Sequence, residues 1–141
     1  MDFTGKVVVI TGASSGIGEA LVYAFADRGA KVVMGARNSA KLAEIAAQLF
    51  TRGIESAFEA TDVTREEDCK RLIDKALSAF GRIDILICNA GISMRALFDD
   101  VQLDVLRQLM DVNFWGTVYC AKYALPALQA AKGTLVGVSS V

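Results

Sequence analysis

The sequence predicts an α/β fold, a doubly wound parallel sheet with helices on both faces, and three observations carry that prediction. Short β-branched runs alternate with longer segments of helical period along the 141 residues. A glycine-rich turn, Thr11-Gly12-Ala13-Ser14-Ser15-Gly16-Ile17-Gly18, joins the first run to the first helical segment. A single proline, Pro126, interrupts the pattern. Parallel strands need crossover connections, and helices in this order supply them.

Lys6 to Ile10 reads as a buried first strand, and Ile17 to Arg28 as the first helix, with Gly29 where a left-handed cap would end it. Lys31 to Gly35 is the second strand. Leu42, Ile45, Ala46 and Leu49 fall at i, i+3, i+4 and i+7, which makes a second helix after an N-cap at Ser39, closed near Gly53. Ser56 to Ala60 makes the third strand. Thr64 and Glu67 have the spacing of a capping box, and Cys69, Leu72, Ile73, Ala76, Leu77 and Phe80 line one stripe of the next helix, which stops at Gly81. The mixed charges of its other face read as a solvated surface. Ile83 to Cys88 is the fourth strand.

From about Val101 to Ala131 the period is helical, but apolar residues crowd nearly every side, more than one sheet can cover. Pro126 removes a helical hydrogen bond there and is predicted to bend or break the helix. A second subunit is the expected cover, giving a homodimer or homotetramer. Thr134 to Ser140 supplies a fifth strand. No repeat, low-complexity tract or linker divides the chain, so residues 1–141 are expected to form one unit, burying roughly two-thirds of its unfolded surface.

Composition narrows the chemistry. Fifteen basic against 16 acidic residues and an apolar share of 53% exclude disorder and leave no basic excess for a nucleic-acid partner. The absence of histidine removes Ser-His-Asp hydrolysis, Cys-His nucleophiles and histidine-ligated zinc. Cys69, Cys88 and Cys120 are odd in number and lack a C-x-x-C spacing, so neither a metal site nor a disulfide framework is expected. They read as small buried hydrophobes in a reducing, cytoplasmic protein. The amino terminus has no secretory pattern, and no apolar run approaches the roughly 18 residues of a membrane span.

The turn from Thr11 to Gly18 spaces its glycines G-x-x-x-G-x-G between a strand and a helix. Glycine lets the backbone turn sharply and approach a ligand, and free N–H groups with the helix dipole at Ile17 attract a pyrophosphate. An ordinary glycine-rich turn is the plainer reading, but its place at the first strand-to-helix turn points to dinucleotide binding.

At these residues the sequence resembles the short-chain dehydrogenase/reductase family, whose T-G-x-x-x-G-x-G fingerprint is met in full. The resemblance implies a Rossmann fold in three αβα layers, with Gly12, Ser14, Ser15, Gly16, Ile17 and Gly18 at the cofactor. Asn89-Ala90-Gly91, after the fourth strand, is similar to the family's N-A-G element, which supports the sheet beside the cofactor. Asp62, followed by Val63, is similar to the acid that bonds the adenine amino group, and Asn113 to the helix asparagine of the catalytic tetrad. Taken singly, Asp62 could cap a turn, Asn113 could relieve a kink and Asn89 could form a turn; together with the glycine turn they would need four accidents in order.

In dinucleotide folds an acid after the second strand accepts from a ribose hydroxyl, whereas an arginine there accommodates a 2′-phosphate. Here the strand ends Met34-Gly35-Ala36-Arg37-Asn38, without the acid and with a guanidinium fork suited to phosphate. NADP(H) is therefore favoured over NAD(H), with Ser14 and Asn38 as further donors; the alternative is that Arg37 is a solvated loop residue.

Family chemistry is hydride transfer between a nicotinamide and a carbonyl or secondary alcohol, with a serine on the substrate oxygen and a Tyr-x-x-x-Lys pair for the proton. Ser140 matches that serine, but Tyr23, Tyr119 and Tyr123 each lack a lysine four positions on. The chain therefore reads as the amino-terminal part of a longer oxidoreductase, inactive alone. The alternative is a non-catalytic NADP(H)-binding module or sensor.

Overall fold

A computed structural model of the protein describes residues 1–140, and Val141, the last residue of the expected unit, lies outside them. The elements in order are β1 (Val7–Thr11), α1 (Gly16–Ala26), β2 (Lys31–Ala36), α2 (Ser39–Thr51), β3 (Ser56–Ala60), α3 (Glu66–Phe80), β4 (Ile85–Cys88), α4 (Leu103–Met110), a π-helical turn (Asp111–Trp115), α5 (Gly116–Ala131) and β5 (Thr134–Gly137). The strands form one parallel sheet in the order β3-β2-β1-β4-β5. The chain winds outward from β1 to β3 and then returns to lay β4 against the other side of β1. This is the doubly wound α/β architecture predicted, and the reversal opens a crevice at the carboxyl ends of β1 and β4.

Period-two alternation sends neighbouring residues of β1 into two separate cores. Val7 and Val9 pack with Leu72, Ile73, Cys120 and Leu128, under α3 and α5. Val8 and Ile10 pack with Val22, Leu42, Ile45 and Leu49, under α1 and α2. A strand covered on both faces must be apolar at every position, which is why Val7-Val8-Val9-Ile10 reads as an unbroken run. Each of these side chains contributes about 1.5–3 kcal/mol by leaving water.

The element boundaries depart from the sequence prediction in informative places. The first strand starts at Val7 rather than Lys6 and runs on to Thr11, because Thr11 still pairs with Gly35. Helix α1 spans Gly16–Ala26 rather than Ile17–Arg28, and β2 continues through Ala36, which pairs with Ala60. The N-cap of α2 is Asn38, not Ser39: the Asn38 side chain accepts from the Lys41 N–H at 3.0 Å. The expected Thr64–Glu67 capping box does not form, because the Thr64 hydroxyl donates to Asp62 Oδ1 at 2.7 Å and α3 opens without a side-chain cap. Gly81 does close α3 in the left-handed conformation (φ 73). Ile83 is buried but precedes β4, since Asp84 lies between them at the base of the sheet.

Pro126 does not break the long helix. It sits inside α5 on an exposed side, and the carbonyl it leaves unbonded belongs to exposed Lys122, where water can satisfy it. The discontinuity falls instead at the π turn, where the Gly116 N–H donates to the Asp111 carbonyl. Strand β5 ends at Gly137, short of the predicted Ser140, although the Val138 N–H still donates to the Cys88 carbonyl at 3.1 Å.

Candidate functional site

The turn after β1 is shaped by what presses on it. A Cβ on Gly12 (φ 64) would stand 2.9 Å from the Ala90 Cα, and one on Gly18 only 2.1 Å from the Gly12 carbonyl oxygen. Any side chain at either position would push the turn away from the end of β4. The two are tied together by polar bonds as well. Thr11 Oγ1 accepts from the N–H groups of Asn89 and Ala90, each at 3.0 Å, and Asn89 Nδ2 donates to the carbonyls of Thr11 and Gly12 at 3.1 and 3.3 Å. Helix α1 then begins beyond Ser15, whose side chain makes no cap bond, so the first N–H groups of the helix keep their donors for a ligand.

An open cleft of about 870 Å³ lies over this turn. Of the residues predicted for the site, Gly12, Ser14, Ser15, Ile17, Arg37, Asn38, Asp62, Val63, Asn89, Ala90 and Gly91 line it. Gly16, Gly18, Asn113 and Ser140 do not: Gly18 is buried behind the turn and Gly16 (φ 55) bends it. A cleft lined by the N–H end of α1, a carboxylate, a guanidinium and backbone from four strand ends suits an extended dinucleotide.

Two of the lining groups carry opposite charge near one another. Burial works against ionisation of Asp62, but the Thr64 hydroxyl and N–H and the charges of Arg37 and Arg65 outweigh it and hold the carboxyl below its ordinary range. Asp62 is thus an acceptor at neutral pH, and its own N–H is fixed by Asp68 Oδ2 at 2.9 Å. Arg37 is exposed, and its guanidinium makes no hydrogen bond or ion pair among the described residues, while its carbonyl accepts from the Ser39 N–H at 3.0 Å. Asn38 uses Oδ1 as the α2 cap and keeps its amide N–H₂ as a donor.

Asn113 lies in the π turn, outside the cleft lining, and clamps the loop after β4. Its Oδ1 accepts from the Ile92 N–H at 2.9 Å and its Nδ2 donates to the Ile92 carbonyl at 2.8 Å. Ser140 is exposed and lies two residues past Val138, whose N–H donates to the Cys88 carbonyl at 3.1 Å. The three thiols are buried and free, as predicted, and no group of metal-binding residues occurs among the described residues. Burial foremost, with Cys69 nearby, pushes the Cys88 thiol up to about 11, and a hydrogen bond with Cys69 together with burial raises Cys120, so neither is a nucleophile.

The cleft is also lined by Ala36, Thr61, Thr64, Ile92, Gln108, Asp111 and Val112, none of them predicted. Thr61 and Thr64 flank Asp62 and come with its placement. Gln108 enters from the end of α4, and Asp111 and Val112 from the π turn, which no local pattern in the sequence marks.

Comparison with known proteins gives concordant matches. A family model described as short chain dehydrogenase matches residues 6–141. The chain is 43% identical over 141 residues to 11-beta-hydroxysteroid dehydrogenase A of Sesamum indicum, covering 99% of this chain and 40% of that protein. It is 45% identical over 139 residues to the protein of the same name from Arachis hypogaea, covering 97% and 40%. An alcohol dehydrogenase from the archaeon Thermococcus sibiricus, complexed with 5-hydroxy-NADP, superposes with a TM-score of 0.93 at 32% identity, over 96% of this chain and 58% of that one. The chain spans about 40% of the length of these curated relatives.

Proposed function

Because the chain belongs to the short-chain dehydrogenase family, we propose that the protein carrying it is an NADP(H)-dependent oxidoreductase that moves a hydride between the nicotinamide and a carbonyl or secondary alcohol. The observation that carries the cofactor choice is Arg37, a guanidinium without an internal hydrogen bond at the cleft end of β2, where an acid would accept from a ribose hydroxyl. The Asn38 amide and Ser14 hydroxyl beside it are further donors for a 2′-phosphate. The similarity to a structure that contains 5-hydroxy-NADP supports the same choice.

When bound, the nicotinamide supplies the hydride donor or acceptor. Gly12, Ser14, Ser15 and Ile17, with the first N–H groups of α1, would hold the pyrophosphate. Asp62 and Val63 would receive the adenine, and Asn89, Ala90 and Gly91 would carry the backbone past the dinucleotide. Ser140 would donate to the substrate oxygen as charge develops there, and Asn113 would hold the loop at Ile92 in place. No tyrosine of the 141 residues has a lysine four positions on, so the proton is assigned to no residue of this chain.

The curated relatives are named for a hydroxysteroid, a secondary alcohol on an apolar skeleton, which supports that part of the substrate class. Self-association through the α4–α5 segment belongs to the same reading, as does a cytoplasmic setting, supported by three buried free thiols. No helix among the described residues is long and apolar enough to cross a membrane.

Fluorescence titration with NADPH and NADH tests the reading directly. NADPH should bind at least about tenfold tighter, and Ala36→Asp with Arg37→Ile should reverse the order. Equal affinities would overturn the Arg37 argument, and failure to bind either dinucleotide would overturn the oxidoreductase.

A further inference from the structure

The end of β4 and the π turn meet at one hydroxyl. Thr117, half-buried in the first turn of α5, donates from Oγ1 to the Asn113 carbonyl at 3.4 Å, a bond back across the π turn. Hydroxyls that bond back four residues bend helices, and here the Gly116 N–H already reaches five residues back to the Asp111 carbonyl. The same hydroxyl hydrogen-bonds with the thiol of Cys88, the last residue of β4. A hydroxyl has one hydrogen and two lone pairs, so its hydrogen can go to the carbonyl while its oxygen accepts from the thiol. Burial keeps that thiol protonated, pushed up to about 11.

Each partner leads back to the same stretch of the cleft. Cys88 is followed by Asn89, Ala90 and Gly91, all of which line the cleft. Asn113 grips Ile92, the next residue, through both polar atoms of its carboxamide. The contacts therefore leave the backbone at residue 88, pass through Thr117 and Asn113, and rejoin it at residue 92. Thr11 accepts from the N–H groups of Asn89 and Ala90, which fixes the near half of this stretch, so the far half depends on the π turn. The backbone that carries Thr117 is itself fixed. A Cβ on Gly116 would stand 2.8 Å from the Val63 Cβ, and Cys120, on the next turn, is fully buried.

We propose that Thr117 is a positioning residue, whose hydroxyl closes a brace from Cys88 through Asn113 to Ile92 and so holds Asn89–Ile92 in place along the path of the dinucleotide. The effect on the ligand rests on the dinucleotide reading above; the brace itself does not. Thr117 does not line the cleft and acts only through Cys88 and Asn113. A valine of similar shape would keep the packing but leave the Asn113 carbonyl and the Cys88 thiol without the hydroxyl between them.

Three measurements on Thr117→Val and Thr117→Ser test the inference: NADPH titration, amide exchange at Ile92 by NMR, and the infrared S–H stretch assigned to Cys88 by its loss in Cys88→Ala. Thr117→Val should weaken NADPH about threefold or more and quicken exchange at Ile92 by a similar factor, the effect of one lost hydrogen bond. It should also shift the Cys88 stretch to that of an unbonded thiol. Thr117→Ser keeps the hydroxyl and should restore all three readouts. A merely structural role would be served as well by valine, which fills the same space, and worse by serine. Unchanged NADPH affinity or unchanged Ile92 exchange in Thr117→Val, or losses that Thr117→Ser shares, would overturn the inference. If the natural sequence binds no NADPH, the dinucleotide reading fails, and exchange at Ile92 with the Cys88 stretch still decides whether the brace exists.

Discussion

Asp84, at the base of the sheet, shows how one side chain can join two segments. It is 5% exposed, and its Oδ2 accepts from the Val7 N–H and from Arg82 Nε, both at 2.9 Å, while Oδ1 accepts from Arg82 Nη2 and stands 3.6 Å from Lys6 Nζ. Burial opposes ionisation, but the bonds from Arg82 and Val7 and the charges of Arg82 and Lys6 prevail and hold the carboxyl below 3.8. A group whose value is lower in the folded state contributes its full stability above the unfolded value and loses it as pH falls through the folded one. Asp84→Asn should therefore cost about 2 kcal/mol at neutral pH, the size of lost hydrogen bonds to a charged group. Denaturant titrations should show that gap steady from about pH 7 to about pH 5 and narrowing below about pH 4. A gap unchanged down to about pH 3 would mean that the charge of Asp84 is not what stabilises the fold.

The decisive element is the π turn. One extra residue in a helical turn rotates the residues beyond it, and here it lets Asp111 line the cleft while Asn113 reaches back to Ile92. Gly116, the next residue, is buried against Val63, where a larger residue would lift the start of α5 off the loop between β3 and α3. Asn113→Ala removes both bonds to Ile92. Exchange at the Ile92 amide, read by NMR, should quicken about tenfold, while global stability changes by only about 1 kcal/mol, because the clamp is exposed. An unchanged exchange rate at Ile92 would show that the carboxamide does not hold this loop.

At the scale of the molecule, α1, α2, α3 and α5 cover the two faces of the sheet, and α4 with the π turn stands off it. Met110, Phe114 and Trp115 are 53%, 48% and 44% exposed, and Phe114 and Trp115 meet edge to face at 5.4 Å. With Leu103 and Leu125 they form an apolar surface that neither core uses. A second copy is the proposed cover. The protein should sediment as a dimer or tetramer at micromolar concentration, and Trp115→Glu should lower its mass towards the monomer. A monomer before the substitution, or an unchanged assembly after it, would count against that surface as the interface.

The α/β class, the order of strands and helices and the glycine turn were legible in the sequence because each depends on residues close together in the chain. Period-two and period-3.6 burial, the left-handed stop at Gly81 and the run from Thr11 to Gly18 are local choices, and local choices survive without knowledge of the fold. The end of β2 at Arg37 and the strand end carrying Asn89 were legible for the same reason. Thr64 was misread because two local partners, Glu67 and Asp62, competed for its hydroxyl, and only the turn geometry decided between them. The Asp84 clamp joins residues 77 apart and the Asn113 clamp residues 21 apart, and Gly116 finds Val63 only when α5 lies on α3. The π turn, and with it the presence of Asp111 and Val112 in the cleft, belongs to this second group. Its backbone is set by packing and clamping between distant segments, and no short-range preference of Asp111 to Trp115 would choose it.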